Sequence, residues 1–428
     1  MKSALVSQLI RWSVRLNLPA LTAVLLWKCT RLLGSKAPEK RILCVQRSIF
    51  EDDVKAVAQV DSKFQFALLP KSRLNDIMEV FLQKDPQFID LTEFNYHHGC
   101  CEKSLLRYRA YLDKVIGHFQ KRWPPDALFS GNFGYKQQQE LAKVFEARGI
   151  PIVILFKEGL VLPEHLDKMR EALVDRKRFL GNKILFYSEQ IQDAILKSDA
   201  FENCEFETAV TGIPRLDRLA HAPKSTEKHL VFYSFYPEDK FRFFGLNEQI
   251  YKEVCEKGRQ FHLEILRFAE RNSDWHVTIK TKANAKYFNF VRDLIDARSS
   301  TLQNVRLTSN DNAAELLLDS SAIATFASTT GLEALVAERL VISPDFGEFF
   351  GDEPWDYFRD YPDLVCYAAS AEDIEEALKQ PAATASEKGN SRRDEFLLKI
   401  INGADGKAGA RVLSEIASCI DQRFQNAG

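Results

Sequence analysis

The residues best suited to bind an anion lie in one turn, residues 328–333, with the sequence Ser-Thr-Thr-Gly-Leu-Glu. The turn follows an apolar segment and precedes a helical pattern. Hydroxyls and unpaired backbone N–H groups at the amino end of a helix attract anions, because the helix dipole places partial positive charge there. We therefore expect Ser328, Thr329 and Thr330 to hold a phosphate-bearing ligand, and Glu333 to accept hydrogen bonds from sugar hydroxyls. The alternative is a helix cap without a ligand.

Two lysines, Lys280 and Lys282, lie at the end of another apolar segment, HVTIKTK. Because alternate residues of a strand point to the same side, both ammonium groups can face one ligand. Two such cations suit a diphosphate or a sugar carboxylate, and the alternative is a solvated edge of the sheet. Ser234, at the end of the segment LVFYSF, is a further candidate phosphate contact.

Charged residues that could move protons follow strands in the first half of the chain. Glu158, with Lys157 beside it, comes directly after the segment IPIVILF and could exchange a proton with an acceptor hydroxyl. Asn132, in the turn SGNFGY, could line the same acceptor side. In TGIPRLD, Arg215 could pair with a phosphate and Asp217 could act as a base or a nucleophile. The alternative is a structural Arg–Asp pair that closes the linker.

These residues depend on short strands that alternate with helical patterns along most of the chain. The predicted strands are residues 42–47, 64–70, 126–132, 150–156, 183–188, 207–212, 230–235, 276–282, 305–309, 322–326, 340–344 and 364–369. Strands and helices that alternate in this way form parallel βαβ units. A polar linker at residues 221–227 separates two such series. We therefore expect two α/β halves with a ligand cleft at the carboxyl ends of their strands.

Composition limits the class of protein. A chain of 428 residues exceeds one ordinary core, and 45% apolar with 28% charged residues is typical of globular domains. The net charge of −2 does not indicate a nucleic-acid binder. The eight cysteines form no CxxC pair, so neither a disulfide framework nor a zinc ribbon is expected. The cluster HHGCC, residues 97–101, is too crowded for a closed zinc site, so we expect no metal. A reducing, cytoplasmic compartment fits this cysteine usage.

The two ends of the chain differ from the α/β series between them. Residues 1–34 mix basic and apolar side chains, but the apolar run 18–27 is too short to span a bilayer. A basic amphipathic segment on an anionic membrane face is one interpretation, and a helix packed on its own domain is the other. After the last strand, residues 371–380 are predicted to form a capped helix and 381–390 a loop, followed by two helices.

Together, TGIPRLD, IKTK and the block at residues 320–345 resemble the GT-B glycosyltransferases of bacterial capsule and lipopolysaccharide assembly, including the Kdo transferases. The resemblance extends over most of the chain, from about residue 41 to residue 369. It implies two Rossmann-like domains, each a doubly wound parallel sheet, that face each other across a cleft. The expected domains are an amphipathic segment at 1–38, an acceptor domain at 39–225, a donor domain at 226–390, and helices at 391–428 that cross back to the first domain.

The resemblance also implies a reaction, in which a nucleotide-activated sugar is the donor and a surface glycan or glycolipid is the acceptor. Ser328, Thr329 and Thr330 would then hold phosphate, and Glu333 the ribose. Lys280 and Lys282 would hold the anionic donor. Glu158 and Asp217 would be the catalytic carboxylates, with no cofactor and no metal. In place of the His-Pro found in related transferases, this chain has Thr281-Lys282-Ala283.

Two other functions stay open on the sequence. TGIPRLD also resembles the GxPRxD stretch of CDP-glycerol and CDP-ribitol phosphotransferases of teichoic acid synthesis, which share the fold. A catalytically inactive GT-B module that binds glycan is the third possibility.

Overall fold

The computed structural model describes residues 3–46, 48–83, 85–87, 96, 99–158, 160, 165–174, 179–242, 244–298, 302–347, 357–358, 360–379 and 387–426. The chain divides into two compact units. Unit 1 consists of Met1–Asp217 together with Lys399–Gly428, and unit 2 is Arg218–Leu398. In the sequence, unit 2 is therefore an insertion between two segments of unit 1.

Strands β1 to β7 belong to unit 1 and β8 to β13 to unit 2. Their bounds are β1 (Arg31–Gly34), β2 (Lys40–Gln46), β3 (Phe64–Pro70), β4 (Ala127–Ser130), β5 (Ile152–Leu155), β6 (Lys183–Phe186), β7 (Glu207–Val210), β8 (His229–Tyr233), β9 (His276–Lys280), β10 (Val305–Thr308), β11 (Ala322–Ala324), β12 (Leu340–Pro344) and β13 (Cys366–Ala368). Each strand predicted from the sequence is present. Most predicted strands ran one or two residues past the observed carboxyl end.

The α-helices alternate with these strands. They are α1 (Ser3–Arg15), α2 (Pro19–Cys29), α3 (Ser48–Ala58), α4 (Lys71–Leu82), α5 (Glu102–Arg122), α6 (Lys136–Ala147), α7 (Leu166–Val174), α8 (Glu189–Leu196), α9 (Asp217–Ala220), α10 (Pro237–Phe241), α11 (Glu248–Arg271), α12 (Ala285–Asp296), α13 (Ala313–Asp319), α14 (Thr329–Val336), α15 (Ala371–Lys379), α16 (Glu387–Ile401) and α17 (Ala408–Asn426). The predicted loop at residues 381–390 is wrong at 387–390, where α16 begins, and 381–386 lie outside the described residues.

The sheet of unit 1 has the strand order β1-β3-β2-β4-β5-β6-β7. Its neighbouring strands are parallel except β1 and β3, which pair antiparallel at the edge. Strands β4, β5 and β6 are buried along their whole length, because helices cover both faces of a parallel sheet. The order reverses direction between β2 and β4, which places a switch point at the carboxyl ends of those two strands.

The sheet of unit 2 is parallel throughout, in the order β10-β9-β8-β11-β12-β13. Four of its helices begin at side-chain caps: Asn247 caps α11, Asn284 caps α12, Asn312 caps α13 and Ser328 caps α14. Each cap accepts a hydrogen bond from an N–H that the helix itself leaves unpaired. The chain leaves β8 toward β9 and later returns to β11 on the other side, so the switch point lies between β8 and β11.

The first two helices pack on their own unit. Ile10 and Leu26 are completely buried, and Thr22 shares a 2.6 Å hydrogen bond with the hydroxyl of Tyr111 in α5. Arg11 pairs with Asp76 of α4 at 3.2 Å. These contacts are those of a helix packed on its own domain. Among the described residues, no helix combines the length and hydropathy that a membrane crossing requires.

Candidate functional site

The start of α14 lies at the switch point of unit 2. Ser328 has extended backbone angles, and its Oγ accepts a hydrogen bond from the N–H of Thr330 at 3.3 Å. Ala327, immediately before it, has a positive φ of 41°, a conformation that residues with a side chain seldom adopt. Ser328, Thr329 and Thr330 are each half-buried. The turn is thus a formed helix cap whose three residues remain partly accessible.

Glycine at position 331 serves packing at this turn. A Cβ on Gly331 would lie 3.0 Å from the ring of Phe358. Glu333 is half-buried one turn into α14. Burial raises the pKa of Tyr233, at the end of β8, above its usual range, and the negative charge of Glu333 adds to that rise. The predicted ribose contact and the predicted phosphate turn therefore lie on one helix at one edge of the sheet.

Lys280 and Lys282 have different surroundings. The Nζ of Lys280 donates to the carbonyl oxygens of Thr281 at 2.6 Å and Ser309 at 3.1 Å, which ties the ends of β9 and β10 together. Burial lowers the pKa of Lys280. Lys282 is exposed and its Nζ lies 5.4 Å from the ring of Tyr287. Only Lys282 of the two lines the neighbouring cavity.

That cavity, of about 500 Å³, is cationic. It is lined by Phe235, Tyr236, Asp239, Lys240, Arg242, Lys282 and Tyr287. Its three cations outnumber its one carboxylate, and Asp239 already pairs with Lys286 at 3.0 Å. The Nζ of Lys240 donates to the carbonyl oxygen of Ala327 at 2.8 Å, so this ammonium group reaches the turn before α14.

Lys240 and Arg242 were not singled out from the sequence. Both lie beyond Pro237, in the short helix α10 and directly after it. The signal available for them was their position shortly after the first strand of the second half, in PEDKFR.

The side chain of Ser234 is hydrogen-bonded to a buried histidine, His262. Its Oγ lies 2.9 Å from Nε2 of His262, and Nδ1 of His262 lies 2.7 Å from the carbonyl oxygen of Gly258. Because a carbonyl only accepts, Nδ1 carries the proton, and burial lowers the pKa of His262 to about 4. The unprotonated Nε2 therefore accepts a hydrogen bond from the hydroxyl of Ser234. A phosphate could accept a hydrogen bond from that hydroxyl only if this bond were broken, so the phosphate contact of Ser234 stays a prediction.

In unit 1, Arg215 forms a buried ion pair. Its Nη1 lies 3.2 Å from a carboxylate oxygen of Asp53, which is completely buried, and 3.1 Å from the hydroxyl of Tyr187. Burial raises the pKa of Asp53, and the guanidinium of Arg215 opposes that rise. The partner of Arg215 is thus Asp53 and not the nearby Asp217. These contacts support a structural role, and donor binding by Arg215 stays a prediction.

Asp217 caps a helix from far along the chain. Its two carboxylate oxygens accept hydrogen bonds from the N–H groups of Ala408 at 3.0 Å and Gly409 at 2.7 Å, at the start of α17. Burial raises the pKa of Asp217, and the two N–H groups oppose that rise. A Cβ on Gly409 would lie 3.0 Å from Oδ2 of Asp217. The capping contacts engage both oxygens, and a catalytic role for Asp217 stays a prediction.

The acceptor-side residues come together at the carboxyl edge of the unit 1 sheet. The Nζ of Lys157 lies 2.7 Å from Oε1 of Glu158. The amide of Asn132 and the hydroxyl of Tyr135 each donate to the same oxygen at 3.4 Å. The side chain of Glu158 is 41% exposed, whereas that of Lys157 is 7% exposed. Glu158 is therefore a solvent-accessible carboxylate oriented by three donors.

Within the described ranges, His, Cys, Asp and Glu side chains form no group of three or more that could hold a metal ion. His97 and His98, from the predicted HHGCC cluster, lie outside those ranges.

The sequence matches no protein-family model and no curated protein at a significant level. Solved structures do match. A putative UDP-N-acetylglucosamine 2-epimerase from Listeria monocytogenes aligns with a TM-score of 0.51 at 12% identity, covering 89% of this chain and 97% of that one. UDP-GlcNAc 2-epimerase from Neisseria meningitidis, bound to UDP-GlcNAc, aligns with a TM-score of 0.48 at 14% identity, covering 88% and 100%.

An α,α-trehalose-phosphate synthase (UDP-forming) from Burkholderia vietnamiensis aligns with a TM-score of 0.45 at 11% identity, covering 89% of this chain and 100% of that one. At such identities, the likeness concerns the fold. The Listeria structure and the two parallel sheets agree with the prediction from the sequence. The chain has the α/β architecture of the GT-B fold, with two Rossmann-like units.

Proposed function

We propose that the chain is a metal-independent glycosyltransferase that moves a sugar from a nucleotide-activated donor to a growing cell-surface polysaccharide or lipopolysaccharide. A CMP-Kdo-type donor is favoured by the sequence resemblance, with a UDP- or GDP-sugar as the alternative donor. The observation that carries the proposal is the cationic cavity beside the start of α14, at the carboxyl edge of the unit 2 sheet.

The donor would bind at this edge through its phosphate. Lys282, Lys240 and Arg242 supply positive charge in the cavity, and the cap of α14 supplies hydroxyls beside it. Charge-assisted hydrogen bonds of this kind stabilise the negative charge that develops on a departing phosphate. The rings of Tyr236 and Tyr287 in the same cavity offer surfaces against which a nucleobase can stack.

The acceptor would bind at the carboxyl edge of the unit 1 sheet. There Glu158 would take the proton of an acceptor hydroxyl while that oxygen bonds to the anomeric carbon and the phosphate leaves. Lys157 and Asn132 would orient the carboxylate through the contacts that they already make. Since such acceptors grow at the inner face of the cytoplasmic membrane, we place the enzyme there as a peripheral protein.

Titration calorimetry with CMP, CDP, UDP and GDP tests the donor site. We expect one nucleotide to bind, and Lys282→Ala to weaken its binding about 10- to 100-fold, because a hydrogen bond to a charged group contributes about 1.5–3 kcal/mol. Lys252→Ala is the matched control, since Lys252 is an exposed lysine on α11 with Glu248 as its partner.

The same panel separates the alternatives. Absence of binding by every nucleotide would contradict the proposal and favour an inactive glycan-binding module. Binding of CDP alone, with turnover of CDP-glycerol or CDP-ribitol, would favour the polyol phosphotransferase instead.

A further inference from the structure

Exposed large apolar side chains are concentrated on α1, α2 and the turn between them. Among the described residues outside this region, only Leu32, Val60, Leu106 and Leu398 are comparably exposed. We define the hairpin surface as Leu5, Leu9, Trp12, Leu16, Leu18, Leu21 and Val24. Exposed apolar side chains concentrated on two adjacent helices mark an interaction site, whereas single exposed leucines need no explanation.

Helix α1 carries two separate apolar stripes. The inner stripe contains Val6, Ile10 and Val14, each at most 7% exposed. The outer stripe consists of Leu5, Leu9 and Trp12, continued by Leu16 directly after the helix. It repeats every three or four residues and is 37–53% exposed. Because the inner stripe already packs the helix on its own unit, the fold does not require an apolar outer stripe.

The charged residues within the hairpin segment itself all have one sign. The first 38 residues contain six Lys and Arg residues and no Asp or Glu. Arg15 and Lys28 are exposed beside the apolar side chains. Arg11 and Arg31, by contrast, pair with carboxylates of unit 1. They therefore contribute less to the positive electrostatic potential at the surface.

The neighbouring end of α5 extends this basic region. A groove of about 440 Å³ separates α2 from α5, with apolar residues of α2 on one wall and exposed His118, Lys121 and Arg122 on the other. The guanidinium of Arg122 lies 5.4 Å from the ring of Trp27, which joins the two walls. The surface therefore combines apolar side chains with a basic rim.

We propose that the hairpin surface docks on a lipid bilayer that contains anionic phospholipids, with α1 and α2 lying in the plane of the headgroups. Apolar side chains enter the boundary of the acyl chains while Lys and Arg contact the phosphates. Helix α1 has 13 residues and is about 20 Å long, shorter than the roughly 30 Å hydrocarbon core, so it suits the interface rather than a crossing. This inference does not depend on the reaction that the chain catalyses.

Flotation of the full chain with vesicles tests the proposal. Vesicles of phosphatidylcholine mixed with phosphatidylglycerol are compared with vesicles of phosphatidylcholine alone. We expect at least about tenfold stronger partitioning to the anionic vesicles, and weaker partitioning as salt rises, because salt screens the basic rim. Trp12 should also be quenched by brominated lipid in the anionic vesicles.

The variant for this test is the double substitution Trp12→Ser with Leu16→Ser, and the matched control is Leu106→Ser with Leu398→Ser. The control leucines are 50% and 62% exposed, against 53% and 50% for Trp12 and Leu16. We expect partitioning to fall at least about tenfold for the first pair and less than about twofold for the control, with unchanged thermal midpoints.

Two results would overturn the proposal. One is equal partitioning of the double variant and the wild type, including no partitioning of either. The other is a dimer of the wild type that sedimentation velocity detects without lipid and that the double variant does not form. That result would assign the hairpin surface to a second copy of the chain.

Discussion

The carboxyl edges of the two sheets use similar residue types for different purposes. In unit 1, Arg215 is bound to buried Asp53 and Asp217 is bound to the start of α17. In unit 2, Lys282 and Arg242 line a cavity beside a helix cap. A charged residue near the end of a strand can therefore stabilise the fold or be available to a ligand. Which of the two it does depends on the residues that the tertiary structure brings next to it. Glu158 is the exception in unit 1, since it is oriented by donors and yet accessible.

The largest effect on activity is expected at Glu158, the accessible carboxylate at the carboxyl edge of the unit 1 sheet. Glu158→Gln should lower kcat about 10²- to 10⁴-fold, because general base catalysis contributes that much. Its exposure predicts little change in the thermal midpoint. The measurement is turnover with the donor identified by calorimetry. Glu202→Gln, at another exposed position of unit 1, is the control. Equal rates for the two variants would remove Glu158 from the chemistry.

The buried pair offers a test of stability. Arg215→Ala should lower the free energy of unfolding by about 3–5 kcal/mol, because it leaves the Asp53 carboxylate buried without its cation. Urea denaturation measures the change. Arg218→Ala is the control, since Arg218 forms an exposed pair with Glu315 and should cost about 0–1 kcal/mol. A stable Arg215→Ala variant that no longer binds nucleotide would show a donor role for Arg215 instead.

The smallest effect is expected at the helix cap. Asp217→Ala should cost about 0.5–2 kcal/mol of stability, the usual contribution of a side chain that caps a helix. Chemical denaturation gives the stability and the donor assay gives the rate. If Asp217 instead acts as base or nucleophile, the Asp217→Asn variant would keep its stability and lose turnover.

The sequence predicted the alternation of strands and helices because local apolar periodicity determines it. The exception is β1, whose four residues Arg-Leu-Leu-Gly have no alternating pattern and pair only through contact with β3. The carboxyl ends of the strands were also placed too late, because most of the residues that follow the last paired residue are still buried. Phe326, after β11, is an example, being buried although it lies outside the strand.

The site was less accessible from the sequence because its contacts are long-range. The pattern TGIPRLD suggested a pair between Arg215 and Asp217, and nothing local indicated that Asp53, 162 positions away, would be the partner of Arg215. The alternation in IKTK suggested equal roles for Lys280 and Lys282, but the carbonyl of Ser309 holds only Lys280. By contrast, Asn132, Lys157 and Glu158 follow adjacent strands, so parallel topology alone brings them together.

The insertion of unit 2 into unit 1 has a consequence for synthesis on the ribosome. Helix α17 buries Val412, Ile416 and Ile420, and its Glu415 pairs with Lys183 of β6 at 2.7 Å. Unit 1 therefore lacks part of its core until all of unit 2 has been translated. Unit 2 is contiguous in sequence and can fold before unit 1 is complete. Until α17 has been translated, the nascent unit 1 exposes the apolar surface that α17 will cover, and chaperones can bind there.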